Sequence, residues 1–337
     1  MAASNRQWTL ASRPVGEPTH DNFELIETEI PDPGPKEVLI RTLYMSVDPY
    51  MRGRMRDAES YAEPWEVDET MKARVIGEVE ISNHPDFSAG DIVSGDLYWA
   101  EYTVAEAEQL RKIDPAHGPL TAHLGILGMP GVTAYFGLFD VGRPVAGETV
   151  VVSAAAGAVG SVVGQLAKLA GCRVVGTAGS DRKVEWIESI GFDVGINYKD
   201  EDVSSALKDA CPDGIDIYFD NVGGPITDAV WPLLNERARV PVCGQIALYN
   251  ETGVPTGPRK LAQLIGIRAT VEGFLVSDYI GQWGEAVTRM GQWIESGELT
   301  YEETIVDGIE NAPDAFLGLF EGENIGKQLV KISDPST

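Results

Sequence analysis

The chain has 337 residues, enough for two domains of ordinary size that each bury a core of their own. Its 52 acidic residues outnumber its 26 basic residues, which gives a formal charge of −26. Nucleic acids and anionic membrane surfaces would repel such a chain, so neither is expected as a partner.

Up to about residue 125 the sequence favours short strands separated by turns. Residues 31–35 contain three prolines and a glycine just before the apolar run at 37–44. Residues 89–91 form a second predicted turn, directly before another short strand. Strands separated in this way predict a compact, barrel-like β domain.

Further along, a run of valines leads into a turn of small residues and then into a predicted helix over 158–170. The turn matches a dinucleotide-binding pattern in the form Ala155-x-Gly157-x-x-Gly160, with alanine in place of the first glycine. Small residues let the backbone approach a pyrophosphate, and the N–H groups at the helix start can bind it. Glycine- and alanine-rich turns also join strands to helices for packing alone, which is the alternative.

The next predicted strand ends in Gly179 and Ser180, where enzymes that prefer NAD usually have an acidic residue for the ribose. Small residues leave room for a 2′-phosphate, and Arg182 and Lys183 could pair with it. The sequence therefore favours NADP over NAD. In the alternative interpretation, Arg182 and Lys183 are ordinary solvated helix residues.

The rest of the chain predicts more strands and helices. Residues 195–198, 214–220 and 239–243 each predict a strand that opens into a loop, and ligands bind at the carboxyl ends of such strands. Pro241 lies in the last of these, and because a central strand rarely tolerates proline we expect a local distortion near the cofactor. Helices over 283–295 and 308–320 and a strand over 327–332 complete the chain.

Several kinds of chemistry have no support in the sequence. The three cysteines lie far apart along the chain, and no G-x-S-x-G elbow of a hydrolase occurs. The histidines show no metal-ligand spacing, and we expect them to be surface or structural residues. They are His20, His84, His117 and His123. The hard chemistry is therefore expected to come from a bound cofactor, and hydride transfer is the reaction that NADP performs.

No run of about 18 apolar residues is present to span a bilayer. The first residues lack the apolar core of a signal peptide, so we expect a cytoplasmic protein.

Seven segments, in order along nearly the whole chain, resemble the zinc-independent branch of the medium-chain dehydrogenase/reductase superfamily. This branch contains prostaglandin reductases, leukotriene 12-hydroxydehydrogenases and alkenal double-bond reductases. The segments are SVDPYMR at 46–52, GMPGVTAY at 128–135, AAAGAVGS at 154–161, AGSDRK at 178–183, NYK at 197–199, FDNVGG at 219–224 and GENIGK at 322–327. Gly77-Glu78-Val79 stands where the zinc-using branch has Gly-His-Glu, so no metal is expected.

The resemblance implies an α/β protein with two domains. A GroES-like β-barrel domain for substrate and catalysis would comprise residues 1–127 and 300–337. A Rossmann domain with a doubly wound parallel sheet would comprise residues 128–299 and bind NADP(H). The family also implies a homodimer.

The resemblance assigns roles to individual residues. Tyr249 matches the tyrosine beside the nicotinamide ribose and the substrate carbonyl, and Tyr50 matches an aromatic residue of the substrate site. The expected cofactor-binding residues are Met129, Thr133, Gly157, Ala158, Val159, Gly160, Gly179, Ser180, Lys183, Tyr198, Asn221, Gly244, Tyr249, Phe274, Val276 and Asn324. As alternatives, Tyr249 only packs on the cofactor and Tyr50 only covers the turn at Asp48-Pro49. Glu272 departs from the glutamine that the family often has there.

The implied activity is NADPH-dependent reduction of the C=C bond of α,β-unsaturated aldehydes or ketones. Hydride would go to the β-carbon, and Tyr249 would stabilise the negative charge that develops on the carbonyl oxygen. Two alternatives remain open at this point. One is an NADPH quinone oxidoreductase, and the other is a non-catalytic NADPH-binding protein.

The scattered acidic excess suggests life in concentrated salt, where the Debye length falls to roughly 3 Å at 1 M and self-repulsion is screened. We therefore expect the unfolding temperature, followed by circular dichroism, to rise by about 5 °C or more between dilute buffer and molar NaCl. An unfolding temperature that does not rise would count against a halophilic origin.

Overall fold

The computed structural model describes residues 4–58, 60–114 and 118–336. His117 lies outside these residues. The strands are β1 (Ser4–Leu10), β2 (Phe23–Glu29), β3 (Glu37–Ser46), β4 (Lys72–Ser82), β5 (Ile92–Tyr98), β6 (Tyr102–Glu106), β7 (Arg111–Lys112), β8 (Thr149–Val152), β9 (Arg173–Ala178), β10 (Val194–Asn197), β11 (Ile215–Phe219), β12 (Leu234–Val242), β13 (Thr270–Gly273), β14 (Glu303–Asp307) and β15 (Lys327–Lys331). The α-helices are α1 (Met51–Arg54), α2 (Met129–Phe136), α3 (Gly160–Leu169), α4 (Asp181–Ser189), α5 (Val203–Ala210), α6 (Gly224–Val230), α7 (Leu261–Ile267), α8 (Trp283–Glu295) and α9 (Ala312–Glu321).

The chain forms two compact units. The first comprises Met1–Leu124, Glu303–Asn324 and Gln328–Thr337, and the second comprises Gly125–Glu302 and Ile325–Lys327. The expected division into one domain of residues 1–127 and 300–337 and another of residues 128–299 stays a prediction.

The first unit is built on antiparallel strands, as the sequence predicts for its first 125 residues. One sheet has the order β14-β15-β3-β4-β5-β7 with β6 also paired to β3, and β1 and β2 form a separate antiparallel pair. Its core centres on Trp99, which is fully buried. The Trp99 ring is parallel to that of Phe23 and meets the edge of Phe316 from helix α9, with centroids 6.4 and 6.2 Å apart.

The second unit is the predicted doubly wound sheet. Its six strands are all parallel, in the order β10-β9-β8-β11-β12-β13. From β8 the chain adds β9 and β10 on one side and then β11, β12 and β13 on the other. Folds of this kind bind ligands where the strand order reverses in this way, here between β8 and β11. Val150, Val151 and Val152 are fully buried, as expected for a central strand covered on both faces. Helix α3 packs with Val163 and Leu166 fully buried.

Pro241 lies in β12, between β11 and β13, yet the sheet continues past it. The register with β13 is unbroken from Arg239 to Val242, and the Pro241 carbonyl accepts a hydrogen bond from the Asp220 N–H at 2.9 Å. The register irregularity instead lies between the Ile215–Leu234 and Ile217–Arg239 pairings of β11 and β12, before the chain reaches Pro241. The expected distortion near the cofactor end was therefore wrong, because an extended proline removes one N–H and leaves its carbonyl in the ladder.

Among the described residues, no helix combines the length and the apolar character needed to cross a membrane.

Candidate active site

The turn after β8 has a geometry that requires glycine at one position. Ala154 has the left-handed φ of 48°, and the N–H of Gly157 donates to its carbonyl at 3.0 Å. A Cβ atom at Gly160 would collide with the same carbonyl oxygen, so no larger residue fits there without a backbone shift. Helix α3 begins at Gly160, two residues later than predicted, because the turn occupies the residues before it.

Ala155 takes the place of the first glycine of the motif, and its methyl group fills space between two strands. Ala155 is fully buried, and its N–H donates to the Thr177 carbonyl of β9 at 2.9 Å. Its Cβ lies 2.7 Å from the position that a Cβ on Gly176 would take. The glycine that this packing requires is therefore on the neighbouring strand. Residues 157–159 of the turn remain partly exposed, as a ligand site needs.

A segment from the end of the chain lies against this turn. Gly326 donates its N–H to the Ala156 carbonyl at 2.8 Å and forms a parallel bridge with Gly157. Ile325–Lys327 belongs to the second unit, whereas Asn324, which directly precedes it, belongs to the first.

The residues expected around the 2′-phosphate meet at the ends of β9 and β10. Ser180 caps helix α4, and its Oγ accepts from the Lys183 N–H at 3.4 Å. The position of a Cβ on Gly179 would be 2.8 Å from the Tyr198 Oη and 3.3 Å from the Lys199 Cε. Gly179 thus needs to lack a side chain because Tyr198 and Lys199 occupy that space.

Two lysines contribute positive charge at this end of the site. Burial lowers the pKa of Lys183 from its ordinary value, and the charge of Lys199 lowers it further. Arg182 is exposed. Sequence reasoning gave Lys199 no role, although the NYK segment contains it, because only the fold brings β9 and β10 side by side.

Helix α2 contributes two predicted residues that stand out by their exposure. Within Met129–Phe136, Met129 and Thr133 are partly exposed and the other six residues are buried. They are one turn apart, and the Thr133 Oγ1 donates to the Met129 carbonyl at 2.7 Å. The helix therefore presents these two side chains together on one face.

The expected nicotinamide end brings Asn221, Gly244 and Tyr249 together. The position of a Cβ on Gly244 would be 3.2 Å from the Asn221 carbonyl oxygen and 3.3 Å from the Tyr249 Oη. Asn221 is held by Ser153, since its N–H donates to Ser153 Oγ at 2.9 Å and its Nδ2 donates to the Ser153 carbonyl at 2.8 Å. The Tyr249 Oη accepts from the Gln245 N–H at 3.3 Å.

Burial raises the pKa of Tyr249 above its ordinary value, and the bond from the Gln245 N–H acts in the opposite sense. The negative charge of Asp220 raises it further, as does the Cys243 thiolate at the high pH where that form exists. The phenol is therefore protonated at neutral pH and can donate a hydrogen bond to a developing negative charge. Burial and Asp220 also raise the pKa of the Cys243 thiol, to about 12.

Phe274 and Val276 follow the edge strand β13. The Phe274 ring meets that of Phe219 at the end of β11, with centroids 6.2 Å apart and planes at 75°. Val276 begins the 3₁₀ helix Val276–Gln282, in which Tyr279 stacks on Phe136 of helix α2 at 4.3 Å. The segment is thus held by aromatic contacts on both sides. Glu272 is exposed.

Tyr50 lies in the first unit, where it packs against the core. Burial raises its pKa above the ordinary value, and the negative charges of Asp48 and Asp96 add to the shift. Tyr50 and Asn324 are in the first unit, and the other predicted site residues are in the second.

Sequence reasoning missed Asp220, which directly follows β11 and is 1% exposed. Its carboxylate accepts hydrogen bonds from Gln245 Nε2 and from the Gly223 N–H, both at 2.8 Å. The only signal in the sequence was an aspartate that ends an apolar strand inside the FDNVGG segment.

Among the described residues, no group of three or more His, Cys, Asp or Glu side chains is placed to hold a metal ion.

Known proteins match this chain over nearly its full length. Residues 6–113 match the N-terminal domain of oxidoreductase, and residues 158–292 match the model described as zinc-binding dehydrogenase. The NADPH-dependent curcumin reductase of Escherichia coli is 46% identical over 335 residues, which cover 98% of this chain and 97% of that protein. The NADP⁺-dependent 2-alkenal reductase of Nicotiana tabacum is 44% identical over 338 residues and 98% of each chain.

The chain belongs to the medium-chain dehydrogenase/reductase superfamily. Within it, the relatives place the chain in the zinc-independent branch that the sequence resembles. The crystal structure of CurA from Vibrio vulnificus in complex with NADPH is 47% identical, with a TM-score of 0.94 over 98% of this chain and 100% of that one. The expected fold class, a GroES-like domain with a Rossmann domain, is confirmed.

Proposed function

We propose that this medium-chain reductase uses NADPH to reduce the C=C bond of α,β-unsaturated aldehydes and ketones. The observation that carries the proposal is Tyr249, a protonated and largely buried phenol whose oxygen lies over Gly244 at the carboxyl ends of the parallel strands. The identities of 46% and 44% to a curcumin reductase and a 2-alkenal reductase support this substrate class.

The described residues fit NADPH. The partly exposed turn at 157–159 would receive the pyrophosphate at the start of helix α3. Ser180, Lys183 and Tyr198 would hold the 2′-phosphate, at the point where Tyr198 lies close over Gly179. The other expected contacts are Met129, Thr133, Asn221, Gly244, Phe274, Val276 and Asn324. When bound, NADPH supplies the hydride.

The protein's own contribution to the reaction is electrostatic. Addition of hydride at the β-carbon of the substrate leaves negative charge on the carbonyl oxygen, and Tyr249 donates its O–H to that oxygen. The bond that Tyr249 accepts from the Gln245 N–H polarises the phenol and strengthens its donation. The α-carbon then takes a proton from solvent or from Tyr249, which completes the saturated product. Tyr50 would contribute an aromatic surface to the substrate site.

A comparison of acceptors tests the activity. We expect the purified enzyme to oxidise NADPH rapidly with 2-nonenal and slowly with a benzoquinone, and Tyr249→Phe to lower kcat for 2-nonenal about 100-fold, as for loss of one oxyanion donor. Tyr279→Phe is the control, because it removes a tyrosine hydroxyl that donates to Asp140 at 2.7 Å.

Other results would point elsewhere. Fast turnover of the benzoquinone alone would indicate a quinone oxidoreductase. Quenching of tryptophan fluorescence by NADPH without turnover of either acceptor would indicate a binding protein. Unchanged turnover by Tyr249→Phe would remove the assigned role of Tyr249.

Cofactor preference is predicted to depend on Lys183. We expect Lys183→Gln to weaken NADPH binding about 10- to 100-fold, as for loss of a charged hydrogen bond, and to leave NADH binding unchanged. Because its pKa is lowered, Lys183 loses its charge below the ordinary lysine pKa, so NADPH affinity should fall as pH rises toward that value. Kd measured by NADPH fluorescence between pH 7 and pH 10 checks both effects.

Arg182→Gln is the matched control, because Arg182 is the neighbouring exposed cation. Equal losses in the Arg182 and Lys183 variants would indicate a diffuse charge effect instead of a site.

We also propose that the protein is a homodimer in which edge strands β13 of two copies pair. All four residues of Thr270–Gly273 are exposed at the end of the sheet, and Val271 is 40% exposed. Nearby exposed apolar side chains are Leu261, Ile265, Leu275 and Ile280. An open apolar edge is a template for another strand.

Sedimentation velocity tests the assembly. We expect a dimer for the native protein, a monomer for Val271→Lys and a dimer for the control Val271→Thr. A native protein that sediments as a monomer at micromolar concentration would contradict the proposal.

A further inference from the structure

A buried carboxylate joins the carboxyl ends of strands β8, β11 and β12. Asp220 follows β11, its backbone N–H donates to Pro241 of β12, and its side chain lies near Ser153 at the end of β8. Two of the residues expected at the nicotinamide are its neighbours. Asn221 follows Asp220 in the chain, and Gly244 donates its N–H to the Asp220 carbonyl.

The two oxygens of Asp220 accept bonds from neutral groups on several sides. Oδ1 accepts from Tyr218 Oη at 3.0 Å, from the Val222 N–H at 3.0 Å and from the Gly223 N–H at 2.8 Å, and Oδ2 accepts from Thr227 Oγ1 at 2.9 Å and from Gln245 Nε2 at 2.8 Å. Only a carboxylate accepts in all these directions. An amide would present an NH₂ group to some of these donors.

The bond to Gln245 links Asp220 to the proposed catalytic phenol. The Gln245 side chain donates to Asp220, while the Gln245 backbone N–H donates to the Tyr249 Oη. Gly223 has φ 72°, and a Cβ there would collide with the Gln245 side-chain amide. The glycine therefore leaves the space through which Gln245 reaches Asp220.

The backbone of Asp220 holds the same loop in a second way. Its carbonyl accepts from the Cys243 N–H at 2.8 Å and from the Gly244 N–H at 3.1 Å. These backbone bonds do not depend on the side chain. A change confined to the carboxylate thus isolates the link through Gln245.

We propose that Asp220 is a positioning residue that holds Gln245, and through it Tyr249, in place against the nicotinamide end of the site. The carboxylate does not touch substrate in this role. It fixes the loop that carries the phenol. The proposal rests on the function proposed above for Tyr249.

Strand β11, which Asp220 directly follows, provides a matched control. Asp216 lies in β11 at the opposite end, where its carboxylate accepts from the Thr149 N–H at 2.8 Å and from Asn235 Nδ2 at 2.9 Å. Asp216 therefore also ties neighbouring strands together, but far along the strand from Gln245 and Tyr249. Asp220→Asn and Asp216→Asn change the same functional group at opposite ends of β11.

The first experiment uses the cofactor-free protein. Hydrogen exchange measured by mass spectrometry should become faster over residues 243–249 in Asp220→Asn, and stay at the native rate over these residues in Asp216→Asn. This readout needs neither NADPH nor turnover, so it remains informative if the proposed reduction of enals proves wrong.

The second experiment is kinetic. With 2-nonenal, Asp220→Asn should lower kcat about 10- to 100-fold, as for loss of a supporting contact behind a reacting group, with KM for NADPH changed less than about threefold. Asp216→Asn should keep kcat within about twofold of the native value even where it lowers the unfolding temperature. A structural role alone would affect both variants alike.

Gln245→Leu removes the link from the other side and serves if Asp220→Asn does not fold. It should reproduce the faster exchange over 243–249 and the loss of kcat, and the double variant should lose less than the product of the single losses. Native exchange rates over 243–249 together with native kcat in either folded variant would overturn the proposal. A native enzyme without activity on 2-nonenal, but with the exchange result above, would overturn only the proposed function.

Discussion

The parallel direction of six strands is the constraint on which the candidate site depends. Because all six run the same way, the loops after their carboxyl ends meet at one edge of the second unit. That edge gathers the turn at 157–160, Gly179 and Ser180, Tyr198, Asn221 and Gly244, which are spread over nearly 90 positions in the sequence. Buried valines are typical of parallel strands covered on both faces. The residues that stabilise the parallel sheet therefore also determine the edge at which a cofactor can bind.

Charge is distributed unevenly along this edge. At one end the lysines at 183 and 199 lie close enough for the charge of one to lower the pKa of the other, and a phosphate group between such residues would relieve their repulsion. At the other end Tyr249 and Cys243 lie near the buried Asp220 carboxylate, and their pKa values are raised. The first environment suits binding of an anion. The second keeps proton donors protonated.

The raised pKa of Cys243 has a chemical consequence for the proposed substrates. Unsaturated aldehydes are electrophiles, and the thiolate form of cysteine is the form that attacks them. With a pKa of about 12, Cys243 is a thiol at neutral pH, two residues from the Gln245 backbone that supports Tyr249. The desolvation that raises the pKa of the Tyr249 phenol therefore also keeps Cys243 in its less reactive thiol form.

The sequence could predict the features that depend on neighbouring residues, and it could not predict those that depend on contacts between distant ones. The strands, the turn and the preference for a 2′-phosphate are of the first kind, because each depends on a local pattern. Lys199 and Asp220 could not be found in that way. Lys199 lowers the pKa of Lys183 only because β9 and β10 lie side by side. Asp220 accepts a hydrogen bond from Gln245, which is 25 positions away in the sequence. Tyr50 lies in the first unit, so its part in the reaction stays a prediction.

The turn after β8 shows why a local pattern can mislead in detail. In the motif the glycines mark places where backbone or neighbouring side chains come too close for a Cβ atom. Here Gly160 meets that condition against Ala154, while the space at Ala155 is provided by Gly176 on β9. The space that the first glycine of the motif would leave is therefore left by Gly176 of the neighbouring strand. The motif of a single segment cannot predict that Gly176 compensates for Ala155, because the two positions are 21 residues apart and come into contact only in the folded sheet.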